Sequence, residues 1–379
     1  MTSEIGVRGS GSVSALGASA DEIRQSLQAN EHLFQKNEAG DWVSPLSNSA
    51  ELELEQLLQT SKVHRKTDRV VHLALLAAQK AIDEAGWKRE RFGVNIGSSR
   101  GATGLWEQYY DQFRQQQNSP TNSSPATTLG NISYWVGQYF KSNGPAFSHS
   151  ITCSSSFHAI LNAIAWLQAG MAERFLVGGA EASLTPFTLS QMKALKIYSS
   201  KDSSYPCQPF QPESGGMLLG EGAGMLALEP KTGQAKALIS GWGWSTEGID
   251  SPTSISSSGS ALEHAMKMAL HQHDISEVDA IIAHAPGNSK GDEAELNALK
   301  KVFGSKIPPL TSNKWKIGHL LGASGVLSLE MAILMVQDNQ FYPMPFHSYQ
   351  SMPERIDNVL VNSTGFGGNA VSILVSRNS

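Results

Sequence analysis

A chain of 379 residues, 40% of them hydrophobic, is long enough to bury a large core in one duplicated unit or in two to three domains. Its 29 basic and 34 acidic residues leave a formal net charge of −5, which offers no general attraction to nucleic acid or to an anionic membrane. The two cysteines exclude a disulfide framework and a cysteine-rich zinc site, so each is predicted to be a free thiol.

The N-terminal segment contains no apolar run of signal-peptide length, and no later stretch approaches about 18 consecutive apolar residues. Free thiols also fit a reducing compartment. The sequence therefore predicts a soluble, cytoplasmic protein that does not enter a membrane.

Strands and helices alternate in the first part of the chain. IGVRGSGSV predicts a strand, and SADEIRQSLQA predicts a helix from about Ala20 with a serine as its N-cap. The segment from Thr67, TDRVVHLALLAAQKAIDEAGW, has apolar residues at helical spacing and ends in glycine, so it predicts a second helix. The Gln/Ser/Asn/Pro-rich tract 111–131 predicts a long loop over a functional site. Further strands are predicted at FGVNIGSS, RFLVGGAEA and GMLLGEGAGMLALE.

A second alternating series begins near Lys231. It contains the predicted strands ALISGWGWS, VDAIIAH, IPPLTSN and AVSILVS and the predicted helices ALEHAMKMALHQH, DEAELNALKKVF and GVLSLEMAILMVQ. Such alternation favours an α/β fold of mixed sheets covered by helices. We predict two similar halves, residues 1–230 and 231–379.

Three weaker patterns do not carry a function. The G-x-G at Gly9 and Gly11 lacks the further glycine and acid of a dinucleotide site, so no nucleotide cofactor is predicted. The clustered histidines of EHAMKMALHQH lack a compact ligand spacing, so no metal is predicted. The basic run 62–69 is typical of a solvated face, with contact to an acidic protein partner as the alternative.

Cys153 lies in FSHSITCSSSFHAI, between a predicted strand that ends at about Thr152 and a predicted helix that begins near Ser154. The free N–H groups and the dipole of a helix N-terminus lower the pKa of a thiol, so a reactive thiolate is plausible here. The helix that follows is apolar through most of its length, which also fits a buried structural cysteine. Taken alone, the cysteine is more simply explained by packing.

Three later segments hold the other candidate residues. His284 ends a predicted strand in VDAIIAHAPGNSKGD, at the sheet edge where α/β proteins bind ligands, although a core histidine is equally consistent. Lys314 and His319 lie five residues apart in NKWKIGHLLGASG. NSTGFGGNA surrounds Phe366 with three glycines, which permit backbone conformations that other residues resist. None of these segments identifies a chemistry by itself.

In this order, the four segments resemble those of the elongating β-ketoacyl-acyl carrier protein synthases of the thiolase superfamily. ITCSS resembles the family's T-A-C-S/T, HAPGNSKGD its H-G-T-x-T-x-x-G-D, and NKWKIGHLLGASG its T-K-x-x-x-G-H-x-x-G-A-x-G. GFGG, VGGAEA and LGEGAG also match, so the resemblance spans nearly the whole chain. It implies a thiolase fold of two similar halves, stacked in five layers α-β-α-β-α, with the active site between them.

The resemblance implies a decarboxylative Claisen condensation of an acyl thioester with a malonyl thioester, both delivered on the phosphopantetheine arm of an acyl carrier protein. Cys153 would hold the acyl group as a thioester. His284 and His319 would stabilise the enolate formed by decarboxylation, and Lys314 would orient or polarise the pair. No cofactor is implied. The partners would be the carrier protein and a second synthase subunit, identical or related, paired through a strand near the nucleophile.

The same resemblance assigns the oxyanion hole to the backbone N–H groups of Cys153 and Phe366. Phe366 would also gate the acyl pocket, and Gly365, Gly367 and Gly368 would act as its hinge. Chain-length control is expected in region 101–139, which includes Trp106 and Trp135, although tryptophans of a large chain often only fill the core.

The chain departs from the family pattern at several positions. Pro286 and Asn288 replace two threonines that contact pantetheine, so Asn288 becomes the candidate substrate-binding residue of this loop. Ser328 replaces a glutamate that usually meets the lysine, which predicts a Lys314 that is less firmly held or paired elsewhere. These changes suggest a specialised synthase, such as those of aryl polyene or flexirubin pigment pathways.

Two alternatives stay open. A non-catalytic chain-length partner subunit would share the fold, but such subunits usually lack the cysteine that is present here. A thiolase or simple acyltransferase would share the nucleophile, but thiolases need a second cysteine near the C-terminal turn, and GFGGN has none.

Overall fold

The computed structural model describes residues 4–378 except 61–65, 88–90, 213, 232, 249–255, 272 and 275–276. Part of the basic run 62–69 therefore lies outside the described residues.

The described residues form thirteen strands and twelve α-helices. The strands are β1 (Ile5–Val13), β2 (Gln35–Lys36), β3 (Trp42–Ser44), β4 (Gly93–Gly97), β5 (Ala146–His149), β6 (Phe175–Glu181), β7 (Leu219–Gly220), β8 (Gly222–Pro230), β9 (Ala237–Thr246), β10 (Ala280–Ile282), β11 (Leu310–Thr311), β12 (Asn358–Gly365) and β13 (Asn369–Ser376). The helices are α1 (Ala20–Gln28), α2 (Asn48–Gln59), α3 (Arg69–Ala85), α4 (Thr103–Gln116), α5 (Ser123–Thr127), α6 (Asn131–Phe140), α7 (Ser155–Gln168), α8 (Pro186–Ala194), α9 (Ser260–Ala269), α10 (Ser289–Phe303), α11 (Lys314–Ile317) and α12 (Ser324–Asp338).

Ten strands form one sheet in the order β11-β10-β12-β13-β9-β1-β8-β6-β4-β5, and β2, β3 and β7 form a small separate sheet. In each set of five, the third strand along the chain is outermost, followed by the second, fourth, fifth and first. The parallel pairs, β4 with β5 and β6, and β10 with β11 and β12, also correspond. The two sets are therefore topological copies, as the sequence predicted, and β1 joins them by pairing antiparallel with β9.

Helices α7 and α12 pack against each other between the two sets of strands. Because successive side chains of a strand point to opposite faces, each strand contributes to two layers. Leu226 of β8 and Val371 of β13 pack in this central layer, whereas their neighbours Met225 and Ala370 pack outward against α3 and α9. The resulting order, α3, strands, α7 with α12, strands, α9 with α10, confirms the predicted five layers.

The segment Leu321–Asp338 is long and apolar enough to cross a membrane by length and composition, with a mean hydropathy of 1.3. No such segment was expected from the sequence, in which serines and Glu330 interrupt the apolar run. Within the fold, 89% of this segment is buried, mostly as α12 in the central layer. It is a core helix of the protein.

Local signals predicted several helix ends correctly. Ser19 caps α1 in a capping box with Glu22, and Gly86 ends α3 in the left-handed conformation. The predicted loop 111–131 is wrong in part, because α4 continues through Gln116 and α5 forms a further short helix. Glutamine is a good helix former, so the Gln-rich start of this tract extends the helix.

Candidate active site

Loops at the ends of strands from both halves surround one small cavity of about 260 Å³. Cys153 lies between β5 and α7, and Phe366 lies in the turn between β12 and β13; both line this cavity. The complete lining consists of Ser99, Arg100, Thr152, Cys153, Met192, Ile197, Met217, Leu321 and Phe366. The fold thus brings together residues that are more than 200 positions apart in the chain.

His284 and His319 form an edge-to-face pair with ring centroids 5.2 Å apart, and both are buried. Nδ1 of His319 accepts a hydrogen bond from the backbone N–H of Leu321 at 2.9 Å, and the Ser324 hydroxyl lies 3.0 Å from the same nitrogen. Since Nδ1 is an acceptor, the proton of the neutral ring is assigned to Nε2. Leu321 also lines the cavity, so the loop that fixes this ring is part of the cavity wall.

Two carboxylates of α10 accept hydrogen bonds from the backbone of the His284 loop. Glu295 accepts hydrogen bonds from the backbone N–H groups of His284 at 3.0 Å and Ala285 at 2.7 Å. Asp292 accepts from the backbone N–H of Gly287 at 3.1 Å. The position of His284 therefore depends on buried acids that follow it by eight and eleven residues.

Lys314 is only 1% exposed, and burial lowers its pKa to about 8, although the negative charges of Glu295 and Asp292 act in the opposite direction. These two acids act on the charge of Lys314 through space, which the neutral Ser328 cannot do. The Ser328 hydroxyl instead donates a hydrogen bond to Oδ1 of Asn313 at 3.3 Å. The acids of α10 thus favour the charged form of Lys314, but they do not overcome burial.

The serines that follow Cys153 hold the turn that carries it. The Ser155 hydroxyl accepts from the backbone N–H of Ile151 at 2.8 Å and donates to the carbonyl of Thr152 at 2.6 Å. The Ser154 hydroxyl donates to the carbonyl of Ile151 at 2.9 Å. These bonds close the turn on itself and present Cys153 at the start of α7.

Three of the eight described non-glycine residues with positive φ lie beside the candidate residues. Thr152, Ala285 and Leu321 have φ values of 45°, 23° and 43°, and each lies within two residues of Cys153 or of one of the paired histidines. Positive φ is unfavourable for side chains other than glycine, above all for β-branched threonine. Such conformations persist only where surrounding contacts enforce them, and they cluster at functional sites.

The thiol of Cys153 does not have the lowered pKa that its place at a helix N-terminus predicted. Burial raises this pKa to about 12, and the negative charge of Glu181 adds to the increase. The positive charges of Lys314 and Arg100 act in the opposite direction but do not offset burial. The cysteine is half-buried because it lines the cavity, and its resting form is the neutral thiol.

Burial also lowers the pKa of His319 to about 3, helped by the charge of Lys314, so the ring is neutral at physiological pH. Because the folded-state pKa lies below the ordinary histidine value of 6.5, the unfolded chain binds the proton first and the fold loses stability as pH falls below 6.5. Between pH 7.5 and pH 5, the titration of His319 should lower the free energy of unfolding of the wild-type protein by about 2 kcal/mol. His319→Asn keeps an acceptor for the Leu321 N–H but has no imidazole to protonate. Measured by urea unfolding, its loss of stability over this pH range should be about 2 kcal/mol smaller than that of the wild type. Equal losses in the two proteins would contradict the lowered pKa of His319.

The glycine turn packs directly against the cysteine loop. A Cβ on Gly365 would overlap the Thr152 side chain and lie 3.2 Å from the backbone nitrogen of Cys153. The Phe366 carbonyl accepts hydrogen bonds from Oγ1 of Thr152 at 3.1 Å and from Nδ2 of Asn369 at 3.3 Å. The turn and the cysteine loop therefore form one packed unit.

This contact makes Gly365→Ala a sharp test of the packing. The added methyl group should push the turn away from Cys153, lower stability by about 1–3 kcal/mol and change the rate at which iodoacetamide alkylates the thiol. Gly130→Ala is the control, because a Cβ there meets nothing within 4 Å. Urea unfolding and alkylation rates identical to wild type in Gly365→Ala would contradict the described contact.

Gly367 and Gly368 have φ values of 90° and 73°, which other residues adopt only with strain. Their proposed hinge role stays a prediction. Asn288, the predicted substrate-binding residue, caps α10 by accepting from the backbone N–H of Gly291 at 2.9 Å. The side-chain Oδ1 of Asn288 therefore stabilises the start of α10, and a role of this residue in substrate binding stays a prediction.

Glu181, for which no role was predicted, ends β6 and is fully buried. Its Oε1 accepts from the backbone N–H groups of Ser99, of Arg100 at 3.3 Å and of Gly322 at 3.3 Å. Glu181 thus ties the Ser99–Arg100 wall of the cavity to the loop that follows His319. An acid at the end of an all-apolar strand, in VGGAEA, was the signal for such a role.

The chain matches two models of known families. Residues 3–233 match "Beta-ketoacyl synthase, N-terminal domain", and residues 236–346 match "Beta-ketoacyl synthase, C-terminal domain".

Among curated proteins, the 3-oxoacyl-[acyl-carrier-protein] synthase 2 of Rhizobium meliloti is 29% identical over 373 residues, which cover 89% of this chain and 84% of the relative. A β-ketoacyl synthase from Burkholderia phymatum of known structure superimposes with a TM-score of 0.86 at 25% identity and covers 99% of both chains. A type II polyketide ketosynthase, solved in complex with its acyl carrier protein and bound to the hexaketide, gives a TM-score of 0.86 at 21% identity over the full length of both chains.

The predicted resemblance is confirmed: the chain belongs to the beta-ketoacyl synthase family.

Proposed function

We propose that this protein is a 3-oxoacyl-acyl carrier protein synthase, which catalyses a decarboxylative Claisen condensation in fatty-acid or polyketide and polyene chain elongation. The observation that carries the proposal is the pair of buried histidines, which have lowered pKa values and ring centroids 5.2 Å apart; one of them is held by Leu321, which lines the cysteine cavity. A cysteine nucleophile and two neutral N–H donors are what this reaction requires.

In the first step, the sulfur of Cys153 attacks the carbonyl of an acyl thioester on the carrier protein. The tetrahedral intermediate collapses, the new thioester forms on Cys153, and the pantetheine thiol leaves with the proton. Since burial keeps the resting cysteine protonated, this proton moves during the attack rather than before it. The charges of Lys314 and Arg100 lower the cost of the thiolate that forms.

In the second step, a malonyl thioester loses CO2, and negative charge accumulates on its thioester oxygen. Neutral imidazoles donate N–H groups to that oxygen, and a buried site makes such hydrogen bonds strong. The low pKa of His319 and the Nδ1 contact from Leu321 keep Nε2–H available for this task. The enolate carbon then attacks the acyl group on Cys153.

The oxygen of the second tetrahedral intermediate needs its own donors, and we assign the backbone N–H groups of Cys153 and Phe366. The packing of Gly365 against the cysteine loop and the anchored Phe366 carbonyl support this assignment, because they hold both peptides in one unit. Phe366 lines the cavity and can gate it by rotation, with Gly367 and Gly368 as the hinge.

The same proposal includes the protein partners of the enzyme and its location in the cell. Its partner is an acyl carrier protein, and its second subunit is an identical or related synthase chain that pairs through β5, an edge strand of the sheet next to Cys153. It is a cytoplasmic enzyme without a cofactor, and its halves divide at residues 230 and 231.

Purified protein supplied with an acyl-loaded carrier and a malonyl-loaded carrier should release CO2 and form a 3-oxoacyl carrier thioester. Intact mass spectrometry should show the acyl group on this chain before malonyl carrier is added. A chain-length partner subunit, the competing function, would show neither. A protein that stays unacylated with every donor, alone or with a related synthase chain, would refute the proposed activity.

A further inference from the structure

Arg100 is the one cationic side chain among the described residues that line the cysteine cavity. The other lining side chains are apolar or carry small polar groups: Ser99, Thr152, Cys153, Met192, Ile197, Met217, Leu321 and Phe366. Its charge favours the Cys153 thiolate, but Lys314 has the same effect and the larger one, so the thiolate alone does not explain a guanidinium in such a cavity.

The backbone of Arg100 is fixed from three directions. Its N–H donates to Glu181 at 3.3 Å, and its carbonyl accepts from the Thr103 hydroxyl at 3.1 Å. The next residue, Gly101, donates its N–H to the Ser98 hydroxyl at 2.9 Å and has a φ of 62°. The side chain therefore starts from a defined point on the cavity wall.

The guanidinium has no ion-pair partner in the part of the chain that the structure describes. Arg69, by contrast, is held by Glu51 and Glu221. Removing an unpaired charge from water is costly, and the guanidinium of a half-buried arginine gains from any oxygen that a ligand brings to it. This guanidinium carries five N–H donors, and the described residues supply no carboxylate to pair with it.

The size of the cavity beside Arg100 indicates which acyl chains to test. Arg100 and Ser99 also line a second, outer cavity of about 740 Å³, bounded by Trp106 and Phe187, so Arg100 stands where the two cavities adjoin. The inner cavity of about 260 Å³ has room for a short acyl chain. An acyl chain of six carbons with one or two oxygens is of this size.

We propose that Arg100 selects acyl groups that carry an oxygen acceptor, a hydroxyl or a carboxylate, over plain alkyl groups of the same length. The proposal rests on the proposed function, because it concerns the acyl group that Cys153 accepts. A carboxylate can accept two parallel N–H bonds from a guanidinium, and a hydroxyl can accept one. A plain alkyl chain displaces water from the charge and offers nothing in return, so the site discriminates against it.

The selection acts on a balanced thioester exchange. The Sγ–C bond to Cys153 forms, the C–S bond to pantetheine breaks, and the cysteine proton ends on the released pantetheine thiol. No oxidant or cofactor enters this step.

The test is a competition among three carrier-loaded donors: a six-carbon alkyl chain, the same chain ending in a hydroxyl, and the same chain ending in a carboxylate. Intact mass spectrometry measures the ratio of adducts on Cys153. Wild type should favour the oxygen-bearing donors over the alkyl donor by about tenfold or more. The ratio between the hydroxyl and carboxylate arms identifies which group is the better ligand.

Two variants and a control complete the experiment. Arg100→Met, which keeps the length but removes the donors, should invert the preference towards alkyl. Arg100→Lys should retain part of the preference for carboxylate, because it keeps the charge but not the planar fork. Arg114→Met removes an exposed arginine of α4 and should behave as wild type.

Equal labelling by all three donors in wild type would overturn the selection. So would a uniform loss across donors in Arg100→Met, because a residue that only tunes the pKa of Cys153 would produce that pattern. Failure of every donor to acylate wild-type Cys153 would overturn the proposed function itself, and the selection with it.

Discussion

Cys153→Ala should abolish formation of the acyl-enzyme and lower condensation by on the order of 10³-fold or more, since no other group in the cavity can hold the acyl chain as a thioester. The measurement is the intact mass of the protein after incubation with an acyl-loaded carrier, followed by assay of the 3-oxoacyl product. The substitution removes one sulfur atom from a half-buried position, so the fold should survive it.

Cys207→Ala provides a matched control. Cys207 is buried, its Sγ lies 3.9 Å from the carbonyl of Pro286, and burial raises its pKa even further than that of Cys153. This thiol supports the His284 loop but does not line the cavity. The variant should still be acylated, and an adduct that disappears in Cys207→Ala but persists in Cys153→Ala would mean that the nucleophile has been misassigned.

His319→Asn should lower condensation by about 10²–10³-fold while leaving acylation of Cys153 close to wild type. Asparagine can place an oxygen near the position of Nδ1 and keep the bond from the Leu321 N–H, but it has no donor at the position of Nε2. The loss should therefore appear in the step that consumes malonyl thioester. Acyl-enzyme formation and CO2 release, measured separately, resolve the two steps.

His319→Gln is the companion variant, because its side-chain amide reaches the position of Nε2. It should recover part of the activity that His319→Asn loses. If both variants condense at the wild-type rate, His319 is not the donor to the enolate. If both lose acylation as severely as condensation, the histidine acts on the cysteine step instead.

Local signals in the sequence predicted much of the fold. The helical periodicity of α3, its terminal Gly86 and the capping serine of α1 all act within a few residues, and all three predictions were correct. The duplicated alternation of strands and helices also predicted two similar halves. The pairing of β1 with β9 was not predictable, because it joins strands more than 200 residues apart.

The candidate residues were predicted by their order along the chain, and the structure supplies what holds them. Neither Glu181 nor Ser155 had a role in the sequence-based prediction, yet each fixes the backbone beside Cys153 or its cavity wall. The reason is that tertiary contacts or an uncommon turn bring these side chains to their partners. Neither produces a periodic pattern of residues that could be recognised in the sequence.

By itself, the sequence determined which reactive groups are present and in what order: one thiol at a helix start, two histidines, a lysine and a glycine-rich turn. These are properties of residue type and local spacing, so they can be recognised without the three-dimensional structure. The tertiary structure alone decided their charge states and surroundings. Burial raises the pKa of Cys153 although the helix start argues for the reverse, and buried acids of α10 act on the charge of Lys314 although position 328 is a serine. Desolvation and long-range charge depend on how the whole chain packs, which no local pattern records.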